Sequence, residues 1–314
     1  MASSIRTVIN TFRCGLLGTV IPTVNSRPQL PMSTFDYYNG KFIPSGSPVV
    51  SADSRALRYG DGLFETLKLI GNQLLLADSH FDRLFHGLSL LHFDLPQYFT
   101  REFLTGLILQ LCKKNNTEKA ARIRLSILRG NGGPFDPENM LPQLLIQCWP
   151  LPSHALSLNE HGWQIGIYPE ARKSCDVFAN LKSNNYQPYL LAAHFAKRNQ
   201  LDEAVLLNVW GRICDASIAN IAWIKNGTIF TPPLSEGCVA GVMRRHLLEH
   251  CELVTGIRMI EQAGTAEDLA QADEIFLTNA INGIRKVSRL GGKQYQHPLT
   301  TQLYDQLIRP MHQA

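Results

Sequence analysis

The sequence predicts a mixed α/β (α+β) protein built as two domains. Three observations carry this. The chain has 314 residues of which 45% are hydrophobic, enough to bury more than one core. Apolar residues at helical spacing alternate along it with short extended runs closed by turn pairs. A proline-rich break, Pro150-Leu151-Pro152-Ser153, divides it near the middle. The expected organisation is an extension over 1–33, an N-terminal α/β domain over 34–150 and a C-terminal α/β domain over 155–314.

Asn39-Gly40 is a turn pair between two short extended pieces. Leu63 to Ile70 and Gln73 to Ala77 read as strands around Gly71-Asn72. A helix follows from Asp78, which can cap its start, with Phe81, Leu84, Phe85, Leu88 and Leu91 on one face. A second amphipathic helix covers Arg101 to Lys113. Ala121 to Leu128 and Gln143 to Trp149 are strands, joined by the loop Arg129-Gly130-Asn131-Gly132-Gly133-Pro134. Beyond the break come a strand at Trp163 to Tyr168, a polar segment around Lys182 and a helix at Tyr189 to Arg198. Strands follow at Ala204 to Val209 and Ala219 to Lys225, the latter turned by Asn226-Gly227 into Thr228 to Thr231. The spacing predicts a helix from Gly241 through Leu248. Thr265-x-x-Asp268 is a capping-box pattern before a short helix, and Glu274 to Thr278 is a buried strand.

Thirty basic against 26 acidic residues give a net charge of +4, with no basic block of the kind that binds nucleic acid. No apolar run reaches the ~20 residues that span a bilayer. Seven scattered cysteines, odd in number, fit neither a disulfide framework nor a zinc cluster. A reducing compartment, the cytoplasm, is expected. Residues 1–33 lack Asp and Glu but hold Arg6, Arg13 and Arg27. They read as an upstream start before Met32 or, alternatively, as a transit peptide into an organelle matrix.

Taken singly, the polar residues carry little. Lys182 lies between Leu181 and the polar run Ser183-Asn184-Asn185, and a lone lysine is usually a solvated one. The loop at Arg129 to Gly133 could cradle a phosphate but more often such a loop makes a turn. Neither a P-loop nor a dinucleotide fingerprint is present.

Several segments together, in order, carry more. They are Arg58-Tyr59-Gly60-Asp61-Gly62-Leu63-Phe64-Glu65-Thr66, His80-Phe81-Asp82-Arg83-Leu84 and Leu181-Lys182-Ser183-Asn184-Asn185-Tyr186. Then come Cys214-Asp215-Ala216-Ser217-Ile218-Ala219-Asn220, Thr231-Pro232-Pro233-Leu234, Ala240-Gly241-Val242-Met243-Arg244 and Asp273-Glu274-Ile275-Phe276-Leu277-Thr278-Asn279. Over about residues 35 to 310 this set resembles the class-IV aminotransferase family of pyridoxal-phosphate enzymes. That family includes branched-chain and D-amino-acid aminotransferases and 4-amino-4-deoxychorismate lyase.

The resemblance implies fold type IV: two domains, the C-terminal one a pseudo-barrel, with pyridoxal 5'-phosphate in the cleft between them, in a homodimer. It implies that Lys182 carries the cofactor and moves a proton at the substrate Cα. Asp215 stands where an acid partners the pyridine nitrogen, a position more often Glu in the family. Arg83 and the helix start at Val242 and Met243 are implied for the phosphate, with Met in place of a frequent Thr. Asn279 and Ala280 match a second loop at the phosphate and substrate. Glu65 is implied near the substrate. Arg124 matches the branched-chain enzymes' carboxylate trap, and Arg122 stands where they have a tyrosine. Asn220 and the glycines Gly60 and Gly62 are read as structural.

The expected reaction is amino transfer between an amino acid of branched-chain type and a 2-oxo acid such as 2-oxoglutarate. The alternative is the lyase, which releases pyruvate and 4-aminobenzoate; Arg129-Gly130-Asn131-Gly132-Gly133 and Thr278-Asn279-Ala280-Ile281 lean that way. The D-amino-acid subgroup fits less well, since no Arg-x-His pair follows Arg129-Gly130. A catalytically silent binding protein is a third reading, opposed by the presence of Lys182.

Overall fold

In a computed structural model, residues 34–135 and 139–313 are described; the expectations for 1–33 lie outside them. The first sheet holds β1 (Phe35–Tyr38), β2 (Lys41–Pro44), β3 (Gly62–Ile70), β4 (Gln73–Leu74), β5 (Ala120–Arg129) and β6 (Pro142–Pro150), in the order β2-β1-β6-β5-β3-β4. Asn39 and Gly40 take the positive φ angles (41° and 89°) of the tight turn between β1 and β2. A short helix, α1 (Arg55–Tyr59), precedes β3; α2 (Ala77–Leu90) and α3 (Arg101–Lys114) pack on one face of the sheet. The period of two decides which face. Leu63, Leu67 and Leu69 of β3, with Ala121, Ile123, Leu125 and Ile127 of β5, lie in the core under the helices. The other face carries Phe64, Thr66 and Lys68 of β3 directly opposite Ser126, Arg124 and Arg122 of β5.

Asp78 does not cap α2. The N-cap is Leu76, in the left-handed region at φ 55° with no side-chain cap. β4 therefore ends at Leu74, earlier than its apolar run suggests. Asp78 lies in the first helical turn, where the dipole favours an acid, and pairs with Arg101 at 3.7 Å.

The second half contains β7 (Trp163–Lys173), α4 (Gln187–Arg198), β8 (Glu203–Asn208), β9 (Ile213–Ala216), β10 (Asn220–Lys225) and β11 (Thr228–Thr231). It continues with α5 (Val242–Thr255), β12 (Met259–Glu261), α6 (Ala266–Gln271), β13 (Glu274–Asn279), β14 (Gly283–Leu290), β15 (Lys293–Gln294) and α7 (Pro298–Leu303). The strands run β12-β11-β10-β13-β14-β7-β8-β9, with β15 on β14. All six residues of β8 are buried, as in a strand covered on both faces. Side chains of β7, β8, β9, β10, β13 and β14 meet in one cluster that includes Trp223. The capping box at Thr265 and Asp268 forms as expected. Among the described residues no helix is long and apolar enough to cross a membrane.

Candidate active site

A cavity of about 440 Å³ opens between the two sheets. Lys182, Arg83, Arg122, Arg124, Asp215, Val242, Met243, Asn279 and Ala280 line it together, from segments up to about 200 positions apart. The lysine segment is stitched to the start of β3. Phe64 N–H donates to Lys182 O at 2.9 Å and Asn184 N–H donates to Gly62 O at 3.0 Å. This close approach is why position 62 is glycine: a Cβ there would lie 2.5 Å from Ile127 O and 2.7 Å from Asn184 Nδ2. The Lys182 amine sits 4.6 Å from the Phe64 ring centre and 5.6 Å from that of Tyr186. Burial, then the Arg83 charge, lowers its pKa to about 8.

Asp215 lies on β9 opposite Leu206, almost fully buried. Its Oδ2 accepts from Tyr189 Oη (2.7 Å), Val239 N–H (2.9 Å) and Lys173 Nζ (3.1 Å); its Oδ1 accepts from Asn220 Nδ2 (2.8 Å). Asn220 also donates to Val239 O at 2.9 Å, tying the acid to the turn ahead of α5. That turn admits no side chain at position 241, where a Cβ would lie 1.7 Å from Asn220 Oδ1. Burial, then the Asp215 charge, holds the Tyr189 hydroxyl well above its ordinary pKa, in its donating form.

Gly241 is the N-cap of α5, so Val242 and Met243 open the helix on the cavity wall with N–H groups that no helical carbonyl reaches. The Met243 side chain itself is buried in the core behind. Arg83 stands beside this helix start and donates through Nη1 to Ala240 O at 2.9 Å.

Glu65 departs from its expected place near the substrate. It points from β3 toward α2, away from the cavity-lining face, and accepts from Arg83 Nε at 2.8 Å and Nη2 at 2.5 Å. His80 Nδ1 lies 2.7 Å from Glu65 Oε2. Period two explains the difference: Glu65 lies one residue out of phase with Phe64 and Thr66. Its work here is to hold Arg83. Burial alone would raise its pKa, but Arg83 and His80 outweigh that and bring it to about 2. This carboxylate therefore stabilises the fold fully above pH ~4.5 and loses that contribution as pH falls toward ~2, an effect on the order of 3 kcal/mol. Urea unfolding at a series of acidic pH values checks this: Glu65→Gln should flatten the acid limb, and an unchanged slope would count against it.

Arg122 and Arg124 project from β5 into the cavity, and neither makes an ion pair among the described residues. Arg124 lies over the Phe64 ring at 3.8 Å, while the buried Nε of Arg122 has no hydrogen-bond partner among the described residues. The loop at Arg129 to Gly133 does not line the cavity. Arg129 donates to Asp61 Oδ2 at 2.9 Å and stacks on Phe93, bracing the entry to β3. Asn279 donates to Ile218 O and accepts from Ile281 and Asn282 N–H, so its side chain shapes the loop. Sequence reasoning gave no role to Tyr186, Tyr189 or Lys173. Tyr186 stacks on Tyr189 at 4.5 Å. The helical spacing i, i+3 of this pair was the available signal.

Comparison with known proteins bears on the family. The family description "Amino-transferase class IV" matches residues 62–290. A Methanocaldococcus jannaschii protein, whose name conjectures a branched-chain-amino-acid aminotransferase, is 32% identical over 82% of this chain and 88% of its own length. An aminodeoxychorismate lyase of Vibrio harveyi is 30% identical over 78% of this chain and 89% of its own. The crystal structure of the Escherichia coli branched-chain amino acid aminotransferase superposes with a TM-score of 0.78 at 25% identity, covering 87% of this chain and 93% of that one. The chain belongs to the class IV aminotransferases, enzymes that depend on pyridoxal 5'-phosphate.

Proposed function

We propose that this chain transfers the amino group of an amino acid of branched-chain type to a 2-oxo acid such as 2-oxoglutarate, with Lys182 as the cofactor-bearing lysine. The observation that carries this reading is the pair of guanidinium groups, Arg122 and Arg124, on the same cavity as Lys182 and without an acidic partner among the described residues. Unpaired guanidinium groups in a cleft suit carboxylates, and a dicarboxylic acceptor presents two. Phe64, Ile218 and Ile281 offer apolar wall for an aliphatic side chain.

The residues present fit the cofactor's groups. Helix-start N–H groups at Val242 and Met243, with Arg83 beside them, suit a phosphate. The buried Asp215 suits a ring nitrogen that must stay protonated. When bound, pyridoxal phosphate supplies an electron sink for the bond broken at the substrate Cα. Lys182 serves as the base that takes and returns the Cα proton, and its lowered pKa keeps roughly a tenth of it neutral at pH 7. Asn279 and Ala280 form part of the cavity wall available to the phosphate and the substrate. A homodimer acting on small-molecule amino and oxo acids accords with this reading.

The lyase is a second reading, and Thr66 favours it. Its side chain lines the cavity on the strand position opposite Arg124, where a hydroxyl could protonate a departing enolpyruvyl group. One preparation offered both substrate sets decides between them. Glutamate from leucine and 2-oxoglutarate supports the transferase; pyruvate from aminodeoxychorismate without amino transfer overturns it. For the transferase, Arg124→Gln should raise KM for 2-oxoglutarate about 10- to 100-fold with a smaller change in kcat. An unchanged KM would remove Arg124 from the substrate site.

A further inference from the structure

Lys173, the last residue of β7, is 7% exposed and does not line the cavity. Its ammonium meets four oxygens: Asp215 Oδ2 at 3.1 Å, Ala179 O at 3.3 Å, Gly237 O and Tyr189 Oη. These belong to parts of the site that are far apart in sequence. Asp215 is the buried acid. Ala179 lies in the turn three residues ahead of Lys182. Gly237 ends the turn that leads through Val239 to the start of α5. Gly237 is itself confined, at φ 82° and with a Cβ position 2.3 Å from Ser174 O.

We propose that Lys173 is a positioning residue that holds the acid, the lysine turn and the approach to α5 in register around the cofactor. The charge makes this more than packing. Three N–H donors shared among four oxygens leave the ammonium no freedom to turn away. A buried ammonium this well satisfied is rigid, and removing it leaves Asp215 facing a void with one donor fewer. Of the contacts to Oδ2, the one from Lys173 alone brings a full positive charge. The inference rests on the reading of the cavity as the cofactor site.

The test uses the cofactor-free protein titrated with pyridoxal phosphate, read by visible absorbance across pH. Lys173→Met should weaken cofactor binding about tenfold or more and shift the pH midpoint of the bound-cofactor absorbance. Lys173→Arg, which keeps the charge, should recover affinity to within about threefold of the parent. If Lys173→Met does not fold, Lys173→Gln takes the same measurements against the same thresholds. A variant that melts at lower temperature yet binds within about twofold of the parent, with an unmoved midpoint, has lost packing only and overturns the proposal. Failure of the underlying reading looks different: the parent protein itself would show no cofactor absorbance.

Discussion

Lys182→Ala is expected to abolish the absorbance band of the imine between lysine and cofactor and to lower turnover by about 10⁴-fold, the scale of losing both a covalent anchor and a proton-transfer group. The variant should still fold. It removes an amine that burial and Arg83 have driven to a pKa of about 8. A lysine depressed in the folded state opposes folding at neutral pH, and that opposition fades as pH rises through the interval from about 8 toward its ordinary value near 10.5. Thermal melting at pH 7 should therefore be equal to or higher than that of the parent. In the parent, activity should rise with pH toward a midpoint near 8, because the neutral amine is the competent base. Peptide mapping after borohydride reduction gives an independent check. Label on another lysine, or turnover within an order of magnitude of the parent, would end the assignment.

Asp215→Ala should damage fold and function together. Four donors converge on this carboxylate, and one of them is the buried ammonium of Lys173. Stranding that cation is expected to cost about 3–5 kcal/mol, visible as a large drop in melting temperature. Asp215→Asn separates the two effects. It keeps the shape and, with its amide oxygen on the Oδ2 side, an acceptor for Tyr189, Val239 and Lys173 but not the charge, so it should melt higher than the alanine variant. Its turnover should still fall about 100-fold or more, because a neutral amide does not hold a proton on the ring nitrogen. Normal turnover by Asp215→Asn at saturating cofactor would sink the role proposed for the acid.

The parts of the fold that were legible are those set by neighbours in sequence. The Asn39-Gly40 and Asn226-Gly227 turns need positive φ at adjacent positions, and both pairs adopt it. The box at Thr265 and Asp268 closes within four residues. The spacing predicts α5 through Leu248, and beyond it His250, Glu252 and Thr255 dilute the apolar face; in the structure it continues to Thr255 and stops at Gly256 in the left-handed region. β14 went unread. Arg285, Lys286 and Arg289 break any apolar alternation there, yet Arg285 is buried because His154 O, Ser157 O and Asn282 Oδ1 receive it. Such burial depends on carbonyls more than 120 positions away, which no local pattern encodes.

By itself the sequence determined the alternation of helices and strands, the absence of a membrane-length apolar run, and the ordered motifs that mark the family. Those follow from short-range periodicity, turn chemistry and the kinds of side chain present. Only the tertiary structure decided which way each side chain faces and which charges meet. It turned Glu65 onto Arg83 and away from the cavity. It drew Arg129 into the strand entry and left Arg122 and Arg124 without acidic partners among the described residues. It also brought Lys173 from the end of a charged run into contact with Asp215. The physical reason is one of range. A charge buried in a protein is tolerated only where partners from distant segments converge on it, and convergence is a property of the packed chain.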